Sequence, residues 1–196
     1  MLVADKFAGV NAEALARALA ERGARPVHRL DRNTCGLMAF ARTDAAERAL
    51  LAAFRARRVH KEYEALCFFP FAERHAVCTA YLQKDARAAR VRVFAEAGRG
   101  REKIVTEYTA EGAGEVVRVR ILLHSGKTHQ IRAHMAFLGH PVVGDEKYGN
   151  EALNKKYRVR RQILVAKRLS FFAGGPLAYL DGREFVSSFS AALPKD

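Results

Sequence analysis

An α+β fold is predicted for this chain. Three observations carry the prediction. Strand-like apolar alternation recurs in segments that are neighbours in sequence. Helix-like spacing appears between them without a regular strand–helix rhythm, which disfavours a parallel, doubly wound sheet. Finally, 196 residues with a hydrophobic fraction of 49% suit a single domain, residues 1–196, with a substantial core.

Val10, Leu15, Leu19 and several alanines fall at helical spacing over residues 10–22, and Gly23 is placed to stop that helix. Leu37 to Ala41 reads as a short buried strand. Thr43 or Asp44 then caps a helix running to about Arg58, with Asp44 and Glu47 spaced as a capping box. Leu50, Leu51 and Phe54 form its apolar face. His60 to Phe68 alternates as a strand. Lys103 to Ala110 and Glu115 to Leu123 read as two strands joined by the turn Glu111-Gly112-Ala113-Gly114. In the second, Val117, Val119, Ile121 and Leu123 share one face, while Arg118 and Arg120 point the other way, toward solvent or ligand. A helix is expected from about Thr128 to Gly139, before Pro141, and a final strand near Leu177 to Phe189.

Charge narrows the function. With 34 Lys and Arg against 21 Asp and Glu, the net charge is +13. That balance points to a polyanionic partner, of which nucleic acid is the commonest. Nothing approaches an 18-residue apolar run, and no secretory signal pattern opens the sequence, so no membrane is expected and the location expected is cytoplasmic. Cys35, Cys67 and Cys78 are odd in number and widely spaced, which predicts reduced thiols rather than disulfides or a Cys-x-x-Cys metal pair.

Two segments are dense in polar residues. Pro26-Val27-His28-Arg29-Leu30-Asp31-Arg32-Asn33-Thr34-Cys35-Gly36-Leu37 places a carboxylate between two arginines, in a turn before a strand. Neighbouring positive charge stabilises the ionised carboxylate, which suits a nucleophile or electrostatic stabiliser better than an acid. A structural Asp capping the turn is the alternative. The second segment runs from His124 to His134. Its Gly126-Lys127-Thr128 is no phosphate loop, because Ile121 stands where that motif needs its first glycine. His129 and His134 are five apart with no acidic or Cys partner nearby, so no metal is expected. An anion-binding corner at a helix start, with Lys127 and Arg132 adding charge, is the reading adopted.

The two segments together resemble the RluA-type RNA pseudouridine synthases. His28-Arg29-Leu30-Asp31-Arg32-Asn33-Thr34-Cys35-Gly36-Leu37 is similar to the family's H-R-L-D-x-x-T-S-G-L motif, with Cys35 in place of the usual Ser. Lys61-Glu62-Tyr63-Glu64-Ala65 resembles its K-x-Y-x-A segment. Gly126 to His134, then Gly139-His140-Pro141-Val142-Val143-Gly144-Asp145 and Tyr148-Gly149, resemble its third block. The matches lie in the family's order across residues 26 to 149.

The resemblance implies a mixed, largely antiparallel central sheet flanked by helices, with an RNA-binding cleft across it. It implies isomerisation of uridine in structured RNA to pseudouridine, without metal or cofactor. Asp31 matches the catalytic Asp, and three routes stay open: attack on the sugar, help in deprotonating it, or addition to the base. Tyr63 matches the active-site Tyr that stacks on uracil and is a candidate to take the proton at carbon 5. Arg132 matches the Arg that pairs with the Asp, and Arg29 a residue that fills the vacated base position. His28, Arg32, Lys61, Lys127, His129 and Gln130 are expected to contact RNA. So are Lys155, Lys156, Arg160 and Arg161, which open a stretch to Arg168 holding seven basic residues and no acidic one. Large-subunit ribosomal RNA is the expected substrate, with transfer RNA or a non-catalytic RNA-binding role as alternatives, and the protein is expected to act as a monomer. The segment Val3 to Val10 resembles a worn form of the family's N-K-P-x-G strand, with Phe7 in place of the proline. A shortened N-terminus and no separate N-terminal RNA-binding domain are expected.

Overall fold

The structure, a computed structural model, describes residues 1–194. Its first elements are β1 (Leu2–Lys6), α1 (Ala12–Ala20), β2 (Arg25–Pro26), β3 (Cys35–Ala41), α2 (Asp44–Arg55) and β4 (Val59–Phe68). Next come β5 (His75–Asp85), β6 (Arg90–Phe94), β7 (Glu102–Glu111), β8 (Val116–Leu123), α3 (Gln130–Phe137) and α4 (Glu151–Lys156). β9 (Leu164–Phe171), a 3₁₀ helix (Gly175–Leu180) and β10 (Glu184–Val186) complete them. The chain packs as two compact units. In the sheet registers described, strands pair antiparallel except β3 with β9, as an α+β fold requires.

The first unit comprises Met1–Tyr63 and Val165–Ser190. β1 pairs antiparallel with β3 from Leu2 opposite Phe40 to Lys6 opposite Gly36. β3 meets β9 in parallel at Cys35 and Gly36, opposite Val165 and Ala166. A glycine is required there: Gly36 has φ +105°, and a Cβ on it would lie 2.3 Å from the Ala166 carbonyl oxygen. The core of this unit joins Leu37, Ala39 and Ala41 of β3 to Leu50 and Ala53 of α2 and to Leu169 and Phe171 of β9. Leu51 and Phe54 pack at its margin.

The expected capping box is corrected. Thr43 caps α2 by accepting from the Ala46 amide at 3.2 Å. Asp44 and Glu47 instead hold the Arg25 guanidinium, at 2.6 and 3.0 Å. The last expected strand is corrected as well. Leu177 lies in the 3₁₀ helix, and the strand is confined to Glu184–Val186. Gly174-Gly175-Pro176 explains this: proline cannot donate to a strand ladder, and the Asp181 carboxylate accepts from the Gly174 amide to close a loop.

The second unit comprises residues 64–164 and, of the described residues, 191–194. Here β8, β7, β5 and β6 form an antiparallel run of neighbours. Val117, Val119 and Ile121 are buried on one face of β8. Arg118 and Arg120 lie on the other, open face as expected, and each carries an ion pair there: Arg118 with Glu64, and Arg120 with Glu111 at 2.6 Å. Ala133 of α3 packs with Ala80, Leu82, Val91 and Ile104 in this unit's core. α3 starts at Gln130 rather than Thr128 because His129, at φ 54°, turns left-handed just before it. The Gln130 carboxamide oxygen closes that turn by accepting from the Lys127 amide at 3.1 Å. Gly139, at φ +88°, follows its end.

Candidate active site

The segment before β3 is pinned from two sides. His28 accepts from the Ala39 amide at 2.9 Å through Nε2 and stacks on Phe54 at 4.7 Å between ring centroids. Burial, helped by the charge of Lys61, pushes its pKa down to about 3, so the ring is neutral. On the other side stands Lys6, 1% exposed. Its ammonium donates to the carbonyls of Phe7 at 3.1 Å, Val10 at 2.8 Å and Arg32 at 2.9 Å. Burial lowers its pKa to about 8, against the opposing pull of Cys35 and Asp31. Asp31 itself is half-buried, and its carbonyl accepts from the Thr34 amide at 3.1 Å.

Each of the flanking arginines has a contact away from Asp31. Arg29 is exposed and pairs with Glu13 at 2.9 Å. Arg32 turns its Nε to the Gly9 carbonyl at 3.1 Å. Lys6 is a cation whose charge couples to Asp31. Tyr63, 9% exposed, lies on β4. Its pKa is driven up, first by burial and then by the negative charge of Asp31. The two side chains therefore sense each other. A phenol held neutral offers a ring face and a hydrogen-bond donor and is a poor base, which opposes the proton-abstracting role that resemblance assigns it.

Arg132 lies in the second unit, buried on the first turn of α3. It grips Asp145 with a two-pronged contact, Nε to Oδ2 at 2.6 Å and Nη2 to Oδ1 at 2.9 Å. Asp145 also accepts from the amides of Lys147 at 2.8 Å and Tyr148 at 3.0 Å. Burial alone would raise its pKa, but the hydrogen bond and charge of Arg132, with those amides, hold it below the usual carboxylate value. Tyr148 lies beneath Arg132, ring centroid 5.3 Å from the guanidinium carbon. Its hydroxyl accepts from the Val91 amide at 2.8 Å and meets His129 Nδ1 at 2.9 Å. Neither Asp145 nor Tyr148 stands out in the sequence by itself, although both belong to the G-D-x-x-Y-G part of the third block.

The expected RNA contacts divide. Gln130 is corrected: it is 2% exposed, and its carboxamide bonds Ser125, Thr106 and the backbone of Lys127 and Val105. It builds the turn rather than a surface. Lys127 pairs with Glu102, and Lys156 with Glu115 at 2.5 Å. Lys61 is half-buried beside His28. Lys155 and Arg160, with Arg158, line a cavity of about 910 Å³ that also touches Asp145. Arg161 is exposed next to it in sequence. Among the described residues, no three His, Cys, Asp or Glu side chains are grouped as a metal site would need.

One unit thus holds an Asp beside a neutral buried Tyr, and the other a buried Arg locked by its own Asp. The family model described as RNA pseudouridylate synthase matches residues 4–137, and the chain belongs to that family. Among curated proteins it is 42% identical, over 123 residues, to ribosomal large subunit pseudouridine synthase D of Blochmanniella floridana, covering 62% of this chain and 37% of that one. It is 36% identical to a protein described as an uncharacterized RNA pseudouridine synthase of Chloroflexus aurantiacus, over 87% of this chain and 50% of that one. The solved structure of human RNA pseudouridylate synthase domain containing 1 matches with TM-score 0.77 and 29% identity, over 88% of this chain and 75% of that one. The chain thus spans between about a third and a half of these curated relatives' length. No helix among the described residues is long and apolar enough to cross a membrane.

Proposed function

We propose that this protein is an RNA pseudouridine synthase acting on a uridine in structured RNA, with Asp31 as its nucleophilic carboxylate. The observation that carries the reading is the coupling of Asp31 to the buried Tyr63. A flipped uridine needs an aromatic face to lie on and an anion at its sugar. In the isomerisation the bond from N1 to the sugar breaks and a bond from carbon 5 forms. The proton leaves carbon 5 and one is gained at N1, so no cofactor enters the balance. Asp31 serves the cationic or acyl-linked sugar, and Tyr63 supports the ring and donates its hydroxyl proton in a hydrogen bond. Arg132, held by Asp145, supplies a fixed positive charge suited to an RNA phosphate.

Large-subunit ribosomal RNA is the substrate proposed, since several relatives are named for it. Arg29, Arg32 and Lys61 in one unit, and Lys155, Arg160 and Arg161 in the other, are the cations proposed to meet phosphates. The test uses RNA tritiated at carbon 5 of uridine. Tritium is expected in water with the wild-type protein, and about 10³-fold less with Asp31→Asn, a loss of ~4 kcal/mol in transition-state stabilisation. Absence of release from ribosomal and transfer RNA alike, with RNA still bound, would leave a non-catalytic RNA-binding protein.

A further inference from the structure

We infer that Lys6 is a positioning residue for Asp31, its buried ammonium acting as the knot that fixes the catalytic turn. This rests on the reading of Asp31 as the catalytic carboxylate. The geometry is specific. A lysine 1% exposed is rare unless its charge is met. Here all three N–H bonds of the ammonium are spent on carbonyls: Phe7 and Val10 after β1, and Arg32, the residue that follows Asp31. The same two chain segments are tied twice more, by the Gly9 amide to the Arg32 carbonyl at 2.9 Å and by Arg32 Nε to the Gly9 carbonyl at 3.1 Å. Lys6 is thus the centre of a clasp joining the end of β1 to the Asp31 turn.

The charged and titratable groups facing the ammonium are Asp31 and Cys35, from the turn and from the start of β3. Neighbouring Asp5 is turned away to Ser187 and Ser188. Arg32 is occupied by Gly9. An ammonium has three protons to give and an amine two, so deprotonation must release one carbonyl and remove the positive charge beside Asp31. Burial brings that deprotonation down to a pH of about 8.

The sign separates this role from a merely structural one. Between pH 8 and 10.5 the unfolded chain holds the Lys6 proton and the folded chain does not, so this group's contribution to stability rises with pH. Activity controlled by the ammonium falls over the same interval. The experiment measures kcat and KM by tritium release, RNA affinity and Tm for wild type and Lys6→Met from pH 6 to 10. We expect the variant to lose about 10- to 100-fold in kcat with RNA affinity little changed. We also expect the wild-type alkaline limb near pH 8 to be missing in the variant. An unchanged kcat, or an alkaline limb common to both proteins, overturns the proposal. A nuclear magnetic resonance titration of the Lys6 side chain, read with hydrogen exchange at the Gly9 and Thr34 amides, uses wild type alone. It decides the matter if Lys6→Met does not fold or if no RNA is turned over. A midpoint near 8 with faster exchange above it supports the clasp even if the enzymatic reading fails. A midpoint near 10, or exchange indifferent to the titration, overturns it.

Discussion

Arg132 and Asp145 form a buried fork, with Nε and Nη2 on separate carboxylate oxygens at 2.6 and 2.9 Å and side chains 8% and 0% exposed. Removing the carboxylate takes away a two-pronged, charge-assisted contact that is shielded from water. Asp145→Ala is therefore expected to cost about 3–5 kcal/mol, measured by urea unfolding. Asp145→Asn keeps the shape and both backbone amides nearby but not the charge. It is expected to lower kcat more than RNA affinity, because Arg132 is no longer held in one rotamer. Equal stability of Asp145→Ala and wild type would show the fork to be incidental.

Asp31 and Tyr63 make a second, gentler pair. Because the charge of Asp31 helps push the Tyr63 phenol up, Asp31→Asn should bring its titration back toward the ordinary tyrosine value, though burial keeps part of the shift. Tyrosine ring-carbon resonances followed against pH read this directly. No movement in the variant would mean that the two groups do not share a site.

Periodicity revealed what periodicity can reveal. β7, β8 and α2 were legible because one face of each is buried, and burial writes itself as a repeat, while β3, buried on both faces, shows as an unbroken apolar run. β5 was not: apolar Val77 sits on its open face while small Ala76, Cys78 and Ala80 take the other, so the alternation is weak in residue type. α4, six residues long, is shorter than two helical turns and shows no repeat. The site divides in the same way. Asp31, Tyr63 and Arg132 stand inside contiguous motifs. Lys6 stood at the lysine of the worn N-K-P-x-G segment, but nothing local tells that its stem is buried or that its ammonium reaches the Asp31 turn. Asp145 was read as a letter in a motif, because its partner lies a loop and a helix away.

Gly36 provides a test of the first unit alone. A methyl group there meets the Ala166 carbonyl at 2.3 Å, backbone against backbone, at a φ of +105° that L-residues rarely adopt. The strands must separate or the turn must strain. Gly36→Ala is expected to cost on the order of 2–4 kcal/mol in thermal or urea unfolding. Since Gly36 lies at the end of the Asp31 turn, kcat should fall even at temperatures where the protein stays folded. Full stability in the variant would contradict the close approach of β3 and β9.

Salt dependence tests the basic rim of the second unit. Lys155 and Arg160 line the cavity beside Asp145, and the side chain of the neighbouring Lys156 reaches Glu115. If the first two meet phosphates, Lys155→Ala with Arg160→Ala should weaken RNA binding uniformly across sequences. The slope of log affinity against log salt should drop by about 0.7 for each phosphate that is no longer neutralised. Lys156→Ala should change it less. Equal slopes for all variants would place the RNA elsewhere.

Acid sensitivity follows from two histidines that fold neutral. Burial lowers His28 to about 3, with the charge of Lys61 adding to it, and burial lowers His134 to about 4. His28 must accept from the Ala39 amide, which a protonated Nε2 cannot do. His134 spends Nδ1 on the Thr106 hydroxyl at 2.9 Å, and its Nε2 has no hydrogen-bond partner in the buried interior. The unfolded chain takes up these protons near pH 6.5 and the folded chain does not. Stability is therefore highest above pH 6.5 and declines as pH falls from there through 4 toward 3. Asp145, held low by Arg132, adds its own loss below the ordinary carboxylate range. Urea midpoints measured from pH 7.5 down to 4 should fall steadily, beginning well before carboxylates titrate. His28→Gln, which can still accept a hydrogen bond but cannot be protonated in this range, should flatten the upper part of that decline. A decline confined to pH below 4.5, or one unaltered by His28→Gln and His134→Gln together, would assign the acid response to carboxylates alone.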